Sequence, residues 1–467
     1  MHSRPAAIIF ALFIAEMCVS FESAMIYAAL PKLITAFGDP LMAGALVTAH
    51  MLIAAATAPV MGRLGDIKGR KVIIQILLFA ALVGSVISAM ANDFAWVLVG
   101  RALQGLSAAV IPLSVGVLRE TLSEDKVPMG IGLLTSALGA GAALGVVLGG
   151  LIVDHFSWQT LFGASAALLG LSMLAVQAFV PAKPGTPTRN PIDWVEGLLP
   201  APGIAAILFA INSSKEHGWL SPLVLGLLGL GLVIMLVWSR RSLKSVEPFI
   251  DLRLFRIRGF AVANGISVLL GMGTMQIVYV FSAYMQSPGW TLVGLGVTAT
   301  VAGLAKLPSN VCSLFAGPLS GWMTLKLGDR ATVMIGALMA ASGWLIALLL
   351  PSTVVQVILL LIVISFGTTI LQAAIPNVVV GAVPPERTSE AIGSMSVVRG
   401  IATALGAQVI ALLLASATIA SPDGSAQFPA ADAYRLTMAG MAGPTIAGAL
   451  WPPLLPLRPI RPKPQAA

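Results

Sequence analysis

Long apolar runs recur along the whole chain and dominate its pattern. Stretches of about 20 residues with few or no charged side chains alternate with short segments that hold most of the charges. Such a run is long enough to cross a bilayer as a helix, and runs that are continuous rather than alternating argue against a barrel. The pattern predicts fourteen spans, at residues 6–30, 40–61, 72–91, 95–118, 131–153, 158–180, 197–213, 220–239, 259–285, 291–316, 331–350, 353–382, 388–416 and 435–457.

The composition agrees with a membrane location. The chain is 57% hydrophobic and only 10% charged, whereas soluble domains contain about 25% charged residues. Its two cysteines, Cys18 and Cys312, lie within apolar runs and are expected to be buried thiols rather than a disulfide or a metal site. The run 6–30 is too long for a signal sequence, so it is interpreted as a retained first helix.

The distribution of basic residues predicts the orientation. If the N-terminus is cytoplasmic, the outer segments hold only Lys32, Lys215 and Arg435, and every other Lys or Arg outside the spans falls in a cytoplasmic segment. The net charge of +8 therefore needs no nucleic-acid partner. The chain is expected in the cell inner (cytoplasmic) membrane, with both termini cytoplasmic.

Two longer loops, 181–196 and 240–258, divide the chain. They predict an N-terminal six-helix bundle (1–180), a linker with an inserted helix pair (181–245) and a C-terminal six-helix bundle (246–467). Repeated halves with a substrate site between them are typical of transporters. The segments Gly62–Lys71 and Gly321–Arg330 also resemble one another, since each places glycines seven residues apart before a basic end.

The first of these segments resembles the cytoplasmic signature of the major facilitator superfamily, which links helices two and three and helps lock a conformation. The resemblance implies tight turns at Gly62 and Gly69, a helix-dipole contact for Asp66 and a charge pair for Arg70. A plain positive-inside loop would explain the basic residues but not the glycine spacing around Asp66. The second copy has Leu325 in place of that aspartate.

The fourth and fifth helices carry further resemblances. Arg101, Gln104 and Gly105 share one face of a helix similar to the superfamily's arginine-bearing fourth helix. Glycines 141, 145 and 149 form a smooth stripe, similar to the antiporter signature of the fifth helix, that favours close packing. This assigns a packing role to Gly145 and Gly149. Val146 stands where that signature has proline, which weakens the prediction of antiport.

The end of the first helix, Phe21–Pro31, resembles the motif of the fourteen-span drug:proton antiporters, with Glu22 where aspartate is usual. Gly393–Arg399 fits the same family, so the resemblance covers nearly the whole chain. It implies an all-α membrane protein of the major facilitator fold that exports amphipathic, cationic or aromatic compounds by alternating access. The expected energy source is the proton gradient, with no cofactor, and the expected partners are a substrate, protons and lipids, with the chain working as a monomer.

Charged residues inside spans are costly, about 2.5–3.5 kcal/mol each on insertion scales, so each needs a reason. Glu22 is the first candidate for proton and substrate coupling, and Arg101 is its candidate counter-charge. Glu16 is a further candidate for proton and substrate coupling, the alternative being a buried packing residue. It lies about 120° around the helix from Glu22, so the two carboxylates are not expected to pair. His50 is a candidate titrating residue, and Lys306 could contact an acidic residue or an anionic substrate group.

Several of these residues have an equally plausible structural role. Arg399 is expected to anchor an interface rather than bind a ligand. Each of the following could line the cavity or simply bond neighbouring helices: Gln104, Asn264, Gln276, Tyr279, Tyr284, Gln372 and Asn377.

No enzyme signature is present: the chain has no phosphate-binding loop, and its four histidines are scattered. Two alternatives to multidrug export stay open. One is a narrow-substrate metabolite importer or exporter of the same superfamily, and the other is a membrane sensor or lipid-handling protein.

Overall fold

A computed structural model describes residues 5–123, 127–185, 193–245, 248, 250–384 and 387–455. The described chain is largely helical. Its helices are α1 (Pro5–Phe37), α2 (Pro40–Lys68), α3 (Arg70–Met90), α4 (Phe94–Gly105), α5 (Val110–Thr121), α6 (Val127–His155), α7 (Trp158–Phe179), α8 (Trp194–Leu198), α9 (Pro200–His217), α10 (Pro222–Lys244), α11 (Arg258–Met272), α12 (Ile277–Gln286), α13 (Ala299–Ala347), α14 (Val354–Ala382), α15 (Thr388–Leu414) and α16 (Ala431–Leu450). Strands β1 (Thr418–Ala420) and β2 (Gln427–Pro429) form an antiparallel hairpin.

Polar side chains in the short connections begin many of these helices. Asp39 accepts a hydrogen bond from the backbone amide of Leu41 at 2.7 Å at the start of α2, and Asp93 caps α4 through Trp96 at 3.1 Å. Thr353 does the same for α14. A capping oxygen satisfies an amide that has no partner within its helix, so these residues fix where the apolar segments begin.

Twelve helical segments of the described chain are long and apolar enough to cross a membrane. One of the twelve is α13, which has 49 residues and a backbone that is not helical at Gly328 (φ 83°, ψ 166°). The 20-residue helix α16 is not among the twelve. The predicted gap between spans at 317–330 is therefore wrong as a loop, because the helix continues to a sharp bend.

The helices form two groups, one from each half of the chain, and the two groups pack against each other. In the first half α1 packs against α6 and α7, and α3 against α4 and α7; in the second half α13 packs against α14 and α16, and α11 against α15. The helix pair α9 and α10 attaches through α9 to α2 and α15. The seam between α2 and α15 is therefore covered by α9.

The two halves touch closely at one end, which is the outer end in the predicted orientation. Asp154 at the end of α6 accepts hydrogen bonds from the amides of Ala299 and Thr300 at the start of α13. Ser282 of α12 donates to the carbonyl of Tyr27 in α1 at 2.6 Å. Gln427 of the hairpin donates to the carbonyl of Gly38 at 3.0 Å. These contacts close this end of the space between the halves.

Candidate transport cavity

A cavity of about 410 Å³ lies between the two halves. Its volume falls in the roughly 300–1,000 Å³ range of small-molecule sites. Five helices from both halves line it: α1, α2, α6, α15 and the start of α5. The 3-10 turn before α5 (Leu106–Ala109) also contributes. The lining residues include Glu16, Ser20, Ser23, His50, Met51, Ala54, Ala55, Ala58, Ala108, Ile111, Leu138, Ser396, Arg399, Gly400 and Thr403.

Glu16 is the acidic residue of this wall. Its side chain is fully buried, and neither carboxylate oxygen has a hydrogen-bond partner. The hydroxyl of Ser114 lies close enough to act on this carboxyl, but the distance and angles between them do not meet those of a hydrogen bond. A buried acid without partners is costly when ionised, so it favours either a proton or a positively charged occupant of the cavity.

Glu16 belongs to a polar face of α1 that the sequence interpretation overlooked. Ser20 and Ser23 follow it at positions i+4 and i+7, and all three side chains line the cavity. This periodicity, readable in the sequence, points to Glu16 rather than Glu22 as the acid that faces the cavity.

Two basic side chains complete the polar wall. His50 from α2 is buried, with its Nδ1 atom unpaired. Arg399 from α15 lies on the opposite half of the molecule. Arg399, which was expected to be an interface anchor, is among the residues that line the cavity.

Glu22 lies in a hydrogen-bonded network beside the cavity. Its carboxylate accepts from the hydroxyls of Ser85 at 3.2 Å and Ser107 at 3.1 Å. The network extends from Ser85 to Gln104, whose amide donates at 2.7 Å, and to Ser165 at 3.3 Å. The three serines were not predicted, because small hydroxyls in apolar spans carry little pattern of their own.

Arg101 joins three helices at the other side of this network. It donates to the carbonyl of Leu46 at 3.2 Å, the carbonyl of Glu22 at 3.3 Å and the side chain of Gln104 at 2.9 Å. Among the described residues no ion pair within 4.0 Å joins Arg101 to the Glu22 carboxylate. Arg101 therefore contacts the backbone of Glu22, and its charge acts on that carboxylate from a longer distance.

The network and the cavity use neighbouring residues of the same segments. Ser23, next to Glu22 on α1, lines the cavity, as does Ala108, next to Ser107. Glu22 is itself fully buried. A change in the protonation or position of Glu22 would therefore reach the cavity wall through two adjacent residues.

Lys306 lies in the second half, where it has only hydroxyl partners. Its Nζ donates to Ser309 at 2.8 Å and to Ser365 at 2.6 Å. No carboxylate of the described residues lies within 4.0 Å of it. Successive residues turn by 100°, which places Lys306 roughly opposite the lipid-exposed positions of α13, namely Val301, Leu304, Val311 and Phe315.

The seven polar residues that were predicted either to line the cavity or to bond neighbouring helices lie outside this cavity. Gln104, Asn264 and Gln276 are buried in contacts between or within helices. The other four residues lie elsewhere: Tyr279 packs near Tyr27 with ring centroids 6.1 Å apart, Tyr284 donates to the Pro351 carbonyl at 2.8 Å, and Gln372 and Asn377 are exposed on α14. None of the seven lines the cavity.

The signature segment forms a compact charged corner. Arg70, the first residue of α3, donates to Asp66 at 2.6 Å and to Glu120 at the end of α5 at 2.6 Å. The predicted turn occurs at Gly69, with φ of 99°, but Gly62 lies within α2 and makes no turn. Asp66 is in the last turn of α2, so it pairs with Arg70 rather than capping a helix.

The glycine stripe of α6 contacts two partners. A Cβ at Gly145 would lie 2.7 Å from the Phe21 carbonyl of α1, whereas one at Gly149 would meet only ordinary contacts at 3.4 Å. A Cβ at Gly150 would lie 2.6 Å from Ala299 of α13. Gly150, for which no role was predicted from the sequence, therefore allows α6 and α13 of the two halves to approach closely.

These features define a polytopic helical membrane protein with a substrate-sized cavity between two bundles. The sequence pattern of the Major Facilitator Superfamily matches residues 12–310 and 264–467, and the chain belongs to that family. It is accordingly a membrane transporter rather than an enzyme.

Relatives and solved structures agree with this membership. The multidrug efflux pump LfrA of Mycolicibacterium smegmatis is 28% identical over 374 residues, which are 78% of this chain and 71% of the pump. The riboflavin transporter RibZ of Clostridioides difficile is 26% identical over 371 residues, 77% of each chain. A peptide transporter POT crystallised with sulfate has the same fold, with a TM-score of 0.68 at 16% identity over 96% of this chain and 93% of its own.

Proposed function

We propose that this transporter exports amphipathic cationic or aromatic small molecules in exchange for protons. The observation that carries the proposal is the cavity between the halves with the partnerless carboxyl of Glu16 in its wall. A proton and a cationic substrate would compete for that carboxyl, which is a minimal arrangement for exchange. The multidrug relative supports the substrate class.

The proposal includes fourteen spans in the cell inner membrane, with both termini cytoplasmic. At about 1.5 Å per residue, the 49 residues of α13 would extend about 74 Å, more than twice the roughly 30 Å hydrocarbon core. The bend at Gly328 would divide it into two spans, and α16 would be the last. The domain division at 1–180, 181–245 and 246–467 belongs to the same proposal.

In this orientation the cavity residues lie near the middle or in the cytoplasmic halves of their helices, and the contacts around Asp154 close the outer end. We therefore assign the structure to an inward-facing state. Glu22 is proposed as the coupling residue, because its network joins α1, α3 and α4 and reaches the cavity wall. Glu16 is proposed as the residue that contacts the substrate cation.

A proteoliposome assay tests this assignment, with ethidium as an amphipathic aromatic cation and an imposed proton gradient. We expect gradient-driven transport by the wild type, none by Glu22→Gln, and a raised KM for the cation in Glu16→Gln. Asp432→Asn is the matched control, because Asp432 is an exposed acid outside the cavity. Unimpaired gradient-driven transport by Glu22→Gln would remove that residue from the mechanism.

A narrow-substrate metabolite transporter is the second candidate. Lys306, with hydroxyl partners only, and Arg399 at the cavity wall both favour a substrate with an acidic group. The riboflavin transporter among the relatives keeps this class open. Accumulation of a fluorescent carboxylate that depends on Lys306, with no movement of ethidium, would favour this candidate over multidrug export.

A further inference from the structure

A basic concavity lies far from the transport cavity, where the end of α10 meets the start of α8. It has a volume of about 440 Å³ and is lined by Asp193, Arg240, Arg241, Lys244 and Ser245. It shares no lining residue with the transport cavity. In the proposed orientation it lies at the cytoplasmic membrane surface.

One ion pair forms a rigid wall of this concavity. The two carboxylate oxygens of Asp193 accept from Arg241 Nε at 2.9 Å and Nη2 at 3.0 Å. Asp193 also caps α8 by accepting from the amide of Glu196 at 3.0 Å. The Arg241 hydrogen bonds hold the pKa of Asp193 below its usual value, so this wall stays charged and intact at neutral pH. The pair fixes the start of α8 against the end of α10.

The other two cations have no such partner. Arg240 and Lys244 are exposed, and within the described chain neither takes part in a hydrogen bond or ion pair. They are four residues apart on α10 and therefore share one face of the helix. An anion in the concavity would lie within reach of both.

The surroundings of the concavity are those of a membrane interface. The face of α10 leading to it is apolar and exposed at Leu232, Val233, Leu236, Val237 and Leu243. Trp194, next to Asp193, is 44% exposed, and tryptophan is enriched at the level of lipid headgroups. The cations thus lie where a headgroup would be if its acyl chains ran along α10.

We propose that this concavity binds the headgroup of an anionic phospholipid, with the phosphate between Arg240 and Lys244 and the acyl chains against α10. Basic pockets between helices at the cytoplasmic surface are suited to such headgroups. The positive-inside rule needs only net charge in a loop, so it explains neither the concave shape nor the ion pair that organises it. Free phosphate would use the same cations without the apolar contact.

Thermal unfolding of the purified full-length protein in detergent tests the site. Phosphatidylglycerol, phosphatidylcholine and inorganic phosphate are titrated separately, and the shift in Tm is measured. We expect a saturable rise with phosphatidylglycerol only. The double variant Arg240→Gln/Lys244→Gln should need about ten- to thirty-fold more of this lipid for half the effect.

The matched control is Arg119→Gln/Arg256→Gln, which removes the same charge from exposed positions outside the concavity. It should respond to the lipid as the wild type does. Equal weakening in both double variants would overturn the site in favour of diffuse attraction. A full response to phosphate alone would overturn the lipid assignment. Lipid-free Tm and a single size-exclusion peak confirm that each variant is folded.

Discussion

Two hydrogen bonds join Asp154 to Thr300 across the two halves of the transporter. The amide of Thr300 donates to Oδ2 of Asp154 at 2.9 Å, and its hydroxyl donates to the same oxygen at 2.5 Å. The amide of Ala299 donates to the other oxygen at 3.0 Å. A carboxylate is thereby placed at the positive end of α13, where unpaired amides and the helix dipole both favour an anion.

Removing this carboxylate should loosen the outer closure. In Asp154→Ala the first amides of α13 lose their acceptor, and the population with separated outer ends should rise. Distances between spin labels at Phe156 of the first half and Leu292 of the second half, both exposed, should then gain a longer component. Asp154→Asn keeps one acceptor oxygen, so its distance distribution should be intermediate between those of the wild type and Asp154→Ala. An unchanged distance distribution in Asp154→Ala would mean that other contacts hold the closure alone.

The segment after α7 packs closely against the turn between α2 and α3, and neither segment should tolerate a side chain at its contacting glycine. A Cβ at Gly185 would lie 2.2 Å from the Ile67 carbonyl, and one at Gly69 would lie 2.7 Å from the Lys183 carbonyl. Gly185→Ala and Gly69→Ala should each lower Tm, because backbone atoms must separate. Gly62→Ala is the control: it has open space within a helix, so it should be neutral or stabilise by about 0.5–1 kcal/mol. Equal effects at all three positions would contradict the close contact.

Arg101 should not be replaceable by lysine. The guanidinium contacts two carbonyls and Gln104 from two of its nitrogens, and a single ammonium cannot reproduce that geometry. Arg101→Lys should cost about 1–3 kcal/mol in unfolding free energy, because buried acceptors lose their donors. Arg435→Lys, at an exposed pair, should be neutral. Denaturant unfolding in detergent measures both, and a neutral Arg101→Lys would mean that charge alone is required.

Asp251 should make stability depend on pH in the acid range. Burial by itself raises its pKa, but hydrogen bonds from Arg253 and Arg387 outweigh burial and hold the pKa below the usual value. A lowered folded pKa stabilises the protein above the unfolded value of about 3.9, and this stabilisation is lost as pH falls through the folded value.

The variant Asp251→Asn should therefore cost on the order of 1 kcal/mol at pH 7, since both arginines are partly exposed. The difference in Tm between wild type and variant should shrink below about pH 4. Asp432→Asn at an exposed pair should show no such trend. A constant difference across pH would show that the amide disturbs packing rather than charge.

The sequence predicts most of this fold because a long apolar run in lipid must satisfy its backbone hydrogen bonds internally, which it does by forming a helix. It does not place the interruptions within spans, such as the 3-10 turns at Leu106–Ala109 and Thr274–Gln276, because local packing decides them. The glycine repeat is more informative than its weak similarity suggests. Gly69 and Gly328 both adopt positive φ, at 99° and 83°, and each ends a continuous helical segment.

The site is harder to predict because hydrophobicity does not tell which polar residue faces which neighbour. Glu22 and Glu16 are equally buried, but only the polar face shared with Ser20 and Ser23 indicates which one meets the cavity. The acceptor Asp154 was missed altogether, because its partners are backbone amides 145 and 146 residues away.

Gly150 contacts Ala299 and Gly303 contacts Val146, so α6 and α13 share a close contact near one end of α13 about which α13 could rotate. From Gly303 to the bend at Gly328, α13 extends about 37 Å at 1.5 Å per residue. A rotation of about 10° around this contact would move the far end by roughly 6 Å. Two glycines that bring backbones together at one end would thus convert a small local tilt into a displacement comparable to the width of a substrate at the other.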